Sequence, residues 1–173
     1  MVTDLLLAVS LSMGCGGTPM DQQVPILRDR RKYSQNVDTL GLETIVPAAS
    51  ARVWEALPAV LADLGLEINF REPDTRRIGA CNQKARARLG KEPLSTYVDC
   101  GDNRGMPNAD RYEVGLTVLV TVAPTTATTT KVYVFVLGVG LDGSGTASSR
   151  IWCFSRGALE ERIRSALEQR SGA

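Results

Sequence analysis

Residues 112–122, YEVGLTVLVTV, decide the fold class of this chain. Glu, Gly and Thr occupy most of the intervening positions, and the alternate positions are apolar or aromatic: Tyr112, Val114, Leu116, Val118, Val120 and Val122. Side chains of a β-strand point alternately to the two faces of a sheet. The stretch therefore predicts a long strand with one buried face and one mostly polar face.

A second long strand is predicted at residues 131–139, KVYVFVLGV, which are apolar on both faces and therefore central or covered. The Thr-rich link between the two strands predicts a hairpin. Shorter strands are predicted at residues 42–46, 66–70, 76–80, 94–100 and 150–154. Residues 83–89, QKARARL, are interpreted as a helical turn or a surface loop.

Two amphipathic helices complete the pattern. The first has Ser50 as its N-cap, Gly65 as its terminator and an apolar stripe of Val53, Leu57, Val60, Leu61 and Leu64. The second has Ser155 as its N-cap and an inward stripe of Leu159, Ile163, Ala166 and Leu167. We predict an α+β fold, an antiparallel sheet packed against both helices in a helix-grip-like arrangement, with the order β-α-β-β-β-β-β-α.

Composition excludes several function classes. The 173 residues contain no histidine, which removes the usual general base, the usual nitrogen ligand for zinc and the usual partner of a nucleophilic Ser or Cys. The 20 Lys and Arg nearly balance the 19 Asp and Glu, so no global field attracts nucleic acid. We expect no enzyme, no cofactor, no metal site and no nucleic-acid partner.

The N-terminus resembles a bacterial lipoprotein signal. Nine mainly apolar residues, 5–13, have the length of a signal-peptide h-region and precede Gly14 and Cys15. Residues 11–15, LSMGC, resemble a lipobox, although Leu11 lies one position further from the cysteine than usual. The resemblance predicts a signal peptide at residues 1–14 and lipidation of Cys15. Secretion without lipidation and an apolar N-terminal element with a free thiol are the alternatives, and the lack of Lys or Arg before residue 5 leaves an upstream start codon open.

Residues 15–39 are polar, contain Pro19 and Pro25 and show no sustained periodicity, so we interpret them as the tether of a lipid anchor. The single folded domain is predicted at residues 40–173. Asp is absent after Cys15, where the sorting rule for inner-membrane retention requires it. We therefore expect the periplasmic face of an outer membrane.

Three cysteines remain if Cys15 is lipidated, an odd number for an oxidising compartment. Cys100 ends one predicted strand and Cys153 lies in the last one, so neighbouring sheet positions would bring their sulfurs together. We predict a Cys100–Cys153 disulfide, and we expect Cys81 to be a free, buried thiol.

Three further motifs bear on function. Lys84, Arg86, Arg88 and Lys91 form either a patch for an acidic ligand or partner, or a solvated face. The Gly138-x-Gly140-x-x-Gly143 match to a dinucleotide loop is followed by a flexible and then extended segment instead of a helix, which favours a hairpin loop. The Asp- and Asn-rich residues 99–110 lack EF-hand spacing and are interpreted as turns.

The segments VDCG, NADRYEVGLTV and CFSRGALEERI resemble a group of uncharacterised bacterial envelope proteins. That resemblance spans most of residues 50–167 and implies export and the disulfide. The anchor, tether and helix-on-sheet module also resemble BamC, a lipoprotein of the outer-membrane β-barrel assembly machine, in architecture alone. We expect a non-catalytic envelope lipoprotein acting as an interaction or accessory module. The alternative is a module that binds a lipid or small apolar ligand between helix and sheet.

Overall fold

The structure is a computed structural model that describes residues 41–141 and 150–172. The predicted signal peptide at residues 1–14 and the predicted tether at residues 15–39 lie outside these residues, as does Cys15.

The described residues form strands, two α-helices and two short 3-10 turns. The α-helices are α1 (Ser50–Asp63) and α2 (Ala158–Ser171). The strands are β1 (Leu42–Val46), β2 (Phe70–Glu72), β3 (Arg77–Arg86), β4 (Arg88–Leu89), β5 (Glu92–Pro93), β6 (Val98–Asp99), β7 (Asp102–Asn103), β8 (Met106–Pro107), β9 (Glu113–Pro124), β10 (Thr130–Leu141) and β11 (Arg150–Ser155). The 3-10 turns are Leu94–Thr96 and Asn108–Asp110.

The sheet is built around β3, β9 and β10, which pair antiparallel along most of their length. On the far side of β10, β1 pairs with its first half and β11 with its second half, and β6 follows β11. On the far side of β3 lie β2, and then β4 and β5. The alternation in residues 112–122 thus produced the predicted strand, at the centre of the sheet.

Both helices cover one face of this sheet. Val53, Leu57 and Leu61 of α1 and Ile163 and Leu167 of α2 are fully buried in one cluster with alternate residues of the central strands. The members from β9 are Val114, Leu116, Val118, Val120 and Val122. The predicted α+β class and element order are confirmed.

Three strand predictions need correction. The strand predicted at residues 66–70 is replaced by β2 at Phe70–Glu72, because the backbone of these three residues pairs with β3 and residues 66–69 belong to no strand. Residues 83–86 belong to β3 instead of a helical turn or loop, because their backbone pairs with β9 beyond a bulge between Ala80 and Gln83. Residues 94–100 are not one strand: a 3-10 turn at Leu94–Thr96 precedes the two residues of β6. The sequence of this segment is apolar enough for a strand, but Asp110 accepts hydrogen bonds from both the backbone N–H and the hydroxyl of Ser95, which stabilises the turn.

Both predicted helix caps also differ. Ala49 is the N-cap residue of α1, and the hydroxyl of Ser50 instead accepts a hydrogen bond from Arg76 at 2.6 Å. Gly157, in a left-handed conformation, is the N-cap residue of α2. Ser155 acts two residues earlier, where its hydroxyl accepts from the Gly157 N–H and donates to the buried carboxylate of Glu160. In a capping box, the carboxylate of the third helical residue accepts directly from the N–H of the N-cap residue. Here the Ser155 hydroxyl lies between the Gly157 N–H and the Glu160 carboxylate and bonds to both.

Candidate docking face

The face of the sheet turned away from the helices carries a second set of apolar side chains. Antiparallel partners directly opposite each other lie on the same face of a sheet. Three such pairs form a continuous row across β9, β10 and β11: Leu119 with Phe135, Leu137 with Phe154, and Val139 with Trp152. We call these six residues the open face. None of them belongs to the buried cluster beneath the helices.

Exposure distinguishes the open face from the face beneath the helices. Phe154 is 43% exposed, and Phe135, Val139 and Trp152 are half-buried. Leu119, on β9, and Leu137, on β10 in the middle of the row, are buried. Ile45 of β1, opposite Lys131 on the same side of the sheet, is 55% exposed. No α-helix among residues 41–141 and 150–172 packs against this row, since both helices contribute to the cluster on the other face.

Ion pairs lie around the open face. Lys131 contacts Glu43 with Nζ and Oε1 2.8 Å apart, Lys84 contacts Glu113 at 3.0 Å, and Arg77 lies 3.7 Å from Glu72. The hydrogen bond from Lys131, with a smaller contribution from Tyr133, lowers the pKa of Glu43. Desolvation and then the contact with Glu43 raise the pKa of the Tyr133 hydroxyl. An apolar row with a charged rim is the usual composition of a protein-binding surface.

The four predicted basic residues meet at one corner of this same side. Lys84 and Arg86 are two residues apart on β3, so they share a face, while Ala85 between them is buried on the other. Arg88 pairs with Arg86 across the tight turn between β3 and β4. An Arg88 guanidinium nitrogen donates to the Lys91 carbonyl oxygen at 2.7 Å. We call Lys84, Arg86, Arg88 and Lys91 the basic corner.

The backbone beneath the basic corner is held in place. Ala87 and Gly90 have φ of 62° and 58°, which makes the two successive reversals tight. Leu89 is 2% exposed and anchors the corner in the core. The end of α1 packs directly on it, because a Cβ added to Gly65 would lie 2.8 Å from the Gly90 nitrogen. The Gln83 amide also donates to the Gly65 carbonyl oxygen at 2.8 Å.

The predicted pair Cys100 and Cys153 lies at disulfide distance, with the sulfurs 2.00 Å and the Cα atoms 4.1 Å apart. β6 pairs with β11, and this pairing places the two cysteines side by side. Both residues are buried. Cys81 corrects a prediction: it is disulfide-bonded, so the expectation of a free thiol is wrong. No cysteine within the described ranges is free.

The glycine motif and the acidic segment have structural roles. Gly138 and Gly140 lie within β10, and a Cβ on Gly138 would approach the Cβ of Cys153 to 2.9 Å; Gly143 lies outside the described residues. Asp99 and Asp102 accept hydrogen bonds from glycine N–H groups in the turns that they begin. Within residues 41–141 and 150–172, no group of three or more His, Cys, Asp or Glu could hold a metal ion.

The interface between helices and sheet is filled. Its residues from α1 and α2 are fully buried against valines and leucines of β9 and β10. The outer surface of the helices has an open groove of about 390 Å³ lined by Arg52, Glu55, Ala56, Ala59 and Arg170. This groove faces solvent and is not a cleft between helix and sheet.

No protein-family model matches the chain, and comparisons with curated proteins and with solved structures found no match. In the part of the chain that the structure describes, neither helix has the length and apolarity needed to span a bilayer. The open face was missed as a site by sequence reasoning. Its signals were the strand that is apolar on both faces, residues 131–139, and the alternation of Trp152 and Phe154 with Cys153.

Proposed function

We propose that this chain is a non-catalytic, lipid-anchored accessory module of the bacterial cell envelope that docks a protein partner on its open face. The observation that carries the proposal is the row of six apolar residues on the side of the sheet that neither α1 nor α2 covers. Exposed apolar surface on a folded domain costs solubility, and a patch of this kind is typical of an interaction site.

The composition of the open face supports a protein partner. Trp, Tyr, Phe and Arg are enriched among residues that dominate binding energy at protein interfaces. Trp152, Phe154 and Phe135 supply aromatic area here, and Tyr133 and Arg77 lie beside them on the same side of the sheet. The ion pairs at its edge would surround such a contact with a polar rim.

The N-terminal sequence supports the anchor and the location. An h-region followed by Gly14 and Cys15 is typical of exported lipoproteins, and the Cys100–Cys153 disulfide is typical of a chain that matures in an oxidising compartment. Residues 16–39 would connect the acylated cysteine to the domain, on the periplasmic face of the outer membrane.

A ligand held between the helices and the sheet is the less well supported alternative. Such a module needs an apolar cavity, typically of several hundred Å³. Among the described residues, the space between the helices and the sheet is occupied by fully buried side chains instead.

Site-directed photo-crosslinking tests the docking proposal. A photoreactive phenylalanine analogue replaces Phe154 on the open face, and the matched control carries it at Gln169, which is exposed on α2. In membranes of the native host, we expect one defined adduct from position 154 and none of the same mass from position 169. The same adducts from both positions, or none from position 154, would contradict the proposal.

Mass spectrometry of protein purified from those membranes tests the anchor separately. We expect a chain that begins at Cys15 and carries acyl groups. A cysteine sulfur in a diacylglyceryl thioether cannot form a disulfide. Because Cys100 and Cys153 pair with each other and the chain has four cysteines, lipidation of Cys15 requires that Cys81 is bonded to a thiol of another molecule. A peptide map in which Cys15 and Cys81 are disulfide-bonded would exclude the anchor.

A further inference from the structure

The basic corner has a role that docking on the open face does not require. We propose that Lys84, Arg86, Arg88 and Lys91 bind the anionic phospholipid headgroups of the membrane to which the chain is anchored, so that the domain lies on this corner. The inference rests on the proposed anchoring and adds a second, electrostatic contact between domain and bilayer.

Charge is the first support. Glu113 pairs with Lys84 at 3.0 Å, whereas no carboxylate among residues 41–141 and 150–172 forms an ion pair with Arg86, Arg88 or Lys91. The four cations of the basic corner and the carboxylate of Glu113 together carry a net charge of about +3, within residues 84–91 and their neighbour on β9. All four basic residues are exposed, and the Lys84 side chain is 76% exposed. Each basic residue near an anionic membrane surface strengthens binding about fivefold.

Shape is the second support. The basic corner lies at the edge of the sheet, where its four exposed side chains surround Ala85 and Leu89, which are buried in the core. Headgroups in a fluid bilayer form a diffuse, mobile layer of negative charge that can adapt to exposed cations without a preformed groove. An acidic protein segment of fixed shape would gain more from a groove. The anionic bilayer is therefore the occupant that the geometry favours.

Proximity is the third support. Twenty-six residues separate Cys15 from Leu42, the first residue of β1. Even a fully extended chain of this length spans only about 90 Å. An anchored domain would therefore remain close to the bilayer, and a weak headgroup contact would be strengthened by the high effective concentration.

Vesicle cosedimentation of the full chain, purified without acylation, tests the inference. The vesicles are phosphatidylcholine alone, or seven parts phosphatidylcholine to three parts phosphatidylglycerol. We compare wild type with R86Q/R88Q and with R52Q/R71Q, a control pair of exposed arginines that changes the net charge equally. Arg52 lies in the first turn of α1 and Arg71 lies over Trp54 of the same helix, whereas the other end of α1 packs on the basic corner. Any contribution of residues 1–14 is common to all three proteins.

We expect wild type to bind the anionic vesicles at least tenfold more tightly than the neutral ones, with weaker binding at higher salt. The affinity for anionic vesicles should fall about 20-fold in R86Q/R88Q and less than threefold in R52Q/R71Q. Equal losses in the two variants, or no preference for anionic vesicles, would overturn the inference. Because unacylated protein is used, this result does not depend on lipidation, and the crosslinking at Phe154 tests the docking surface independently. If the corner instead binds an acidic protein, crosslinks from Lys91 will depend on that protein and vesicle binding will be absent.

Discussion

The two faces of the central sheet use the same kinds of residue for different purposes. Beneath the helices, alternate residues of β9 and β10 are almost fully excluded from water, whereas on the open face the large side chains at the edge of the row stay partly exposed. Burial against a second layer makes a residue important for folding. A partly exposed row with a charged rim contributes less to folding and keeps apolar area for binding. Stability and binding should therefore respond to substitutions on different faces.

The largest loss of stability is expected at the disulfide beneath the helices. Cys100 and Cys153 are 53 residues apart in sequence. In the chain-entropy model, removing a cross-link of this span lowers the free energy of unfolding by about 4 kcal/mol. Urea denaturation of C100A/C153A beside wild type, both without reducing agent, should show this loss, because the bond of Cys81 is then kept in both proteins. An unchanged denaturation midpoint would mean that the cross-link does not stabilise the native state.

A core substitution should have the next largest effect. Leu57 of α1 is fully buried against the sheet. Leu57→Ala removes buried apolar volume and leaves a cavity, so we expect a loss of about 3 kcal/mol in the free energy of unfolding, measured by urea denaturation. Partner crosslinking from position 154 should persist under conditions where the variant remains folded. A loss below about 1 kcal/mol would contradict tight packing of Leu57 on the face of the sheet beneath the helices.

The matching substitution on the open face should leave stability nearly unchanged and reduce crosslinking to the partner. Phe154 is 43% exposed, so Phe154→Ala encloses no cavity and should cost about 1 kcal/mol of stability or less. With the photo-crosslinker placed at Ile45 on the same side of the sheet, we expect the yield of the partner adduct to fall at least fivefold. Leu57→Ala serves as the control for a purely structural effect. An unchanged yield of the partner adduct would show that Phe154 does not contribute to the docking surface.

The smallest effect is expected at the rim, as a dependence on pH. The contact with Lys131 lowers the pKa of Glu43 in the folded state. The contribution of ionised Glu43 to the free energy of unfolding is therefore fully present above the carboxyl pKa of the unfolded chain. It is lost as pH falls through the lower carboxyl pKa of the folded protein. Glu43→Gln should reduce the difference in Tm between pH 7 and pH 3 slightly, and Glu55→Gln, on α1, is the control. A larger difference between those pH values in E43Q would contradict this sign.

Local chemistry explains why some elements were predicted and others were not. The periodicities of residues 53–64, 112–122 and 131–139 require only that one or both faces become buried, and those elements formed as predicted. The segments at residues 83–89 and 94–100 depended on contacts with distant residues. β9 supplied a pairing edge for the first, and Asp110 supplied the hydrogen bonds that hold the turn in the second. The predicted Ser50 cap failed for the same reason, since Arg76 donates a hydrogen bond to its hydroxyl. The predicted Ser155 cap failed for a local reason, because Gly157 takes the N-cap position and its N–H donates to the Ser155 hydroxyl.

By itself the sequence determined the α+β class, the apolar faces of the central strands, the identity of the four basic residues and the pairing of Cys100 with Cys153. The sequence also predicted that both helices pack on one face of the sheet, whereas only the tertiary structure decided which apolar side chains meet on the other face, in the row from Leu119 to Trp152. The tertiary structure also placed the basic residues together at a rigid corner on that side. Periodicity records which residues avoid water, but which element covers each face depends on strand order and helix packing, and these are properties of the whole chain.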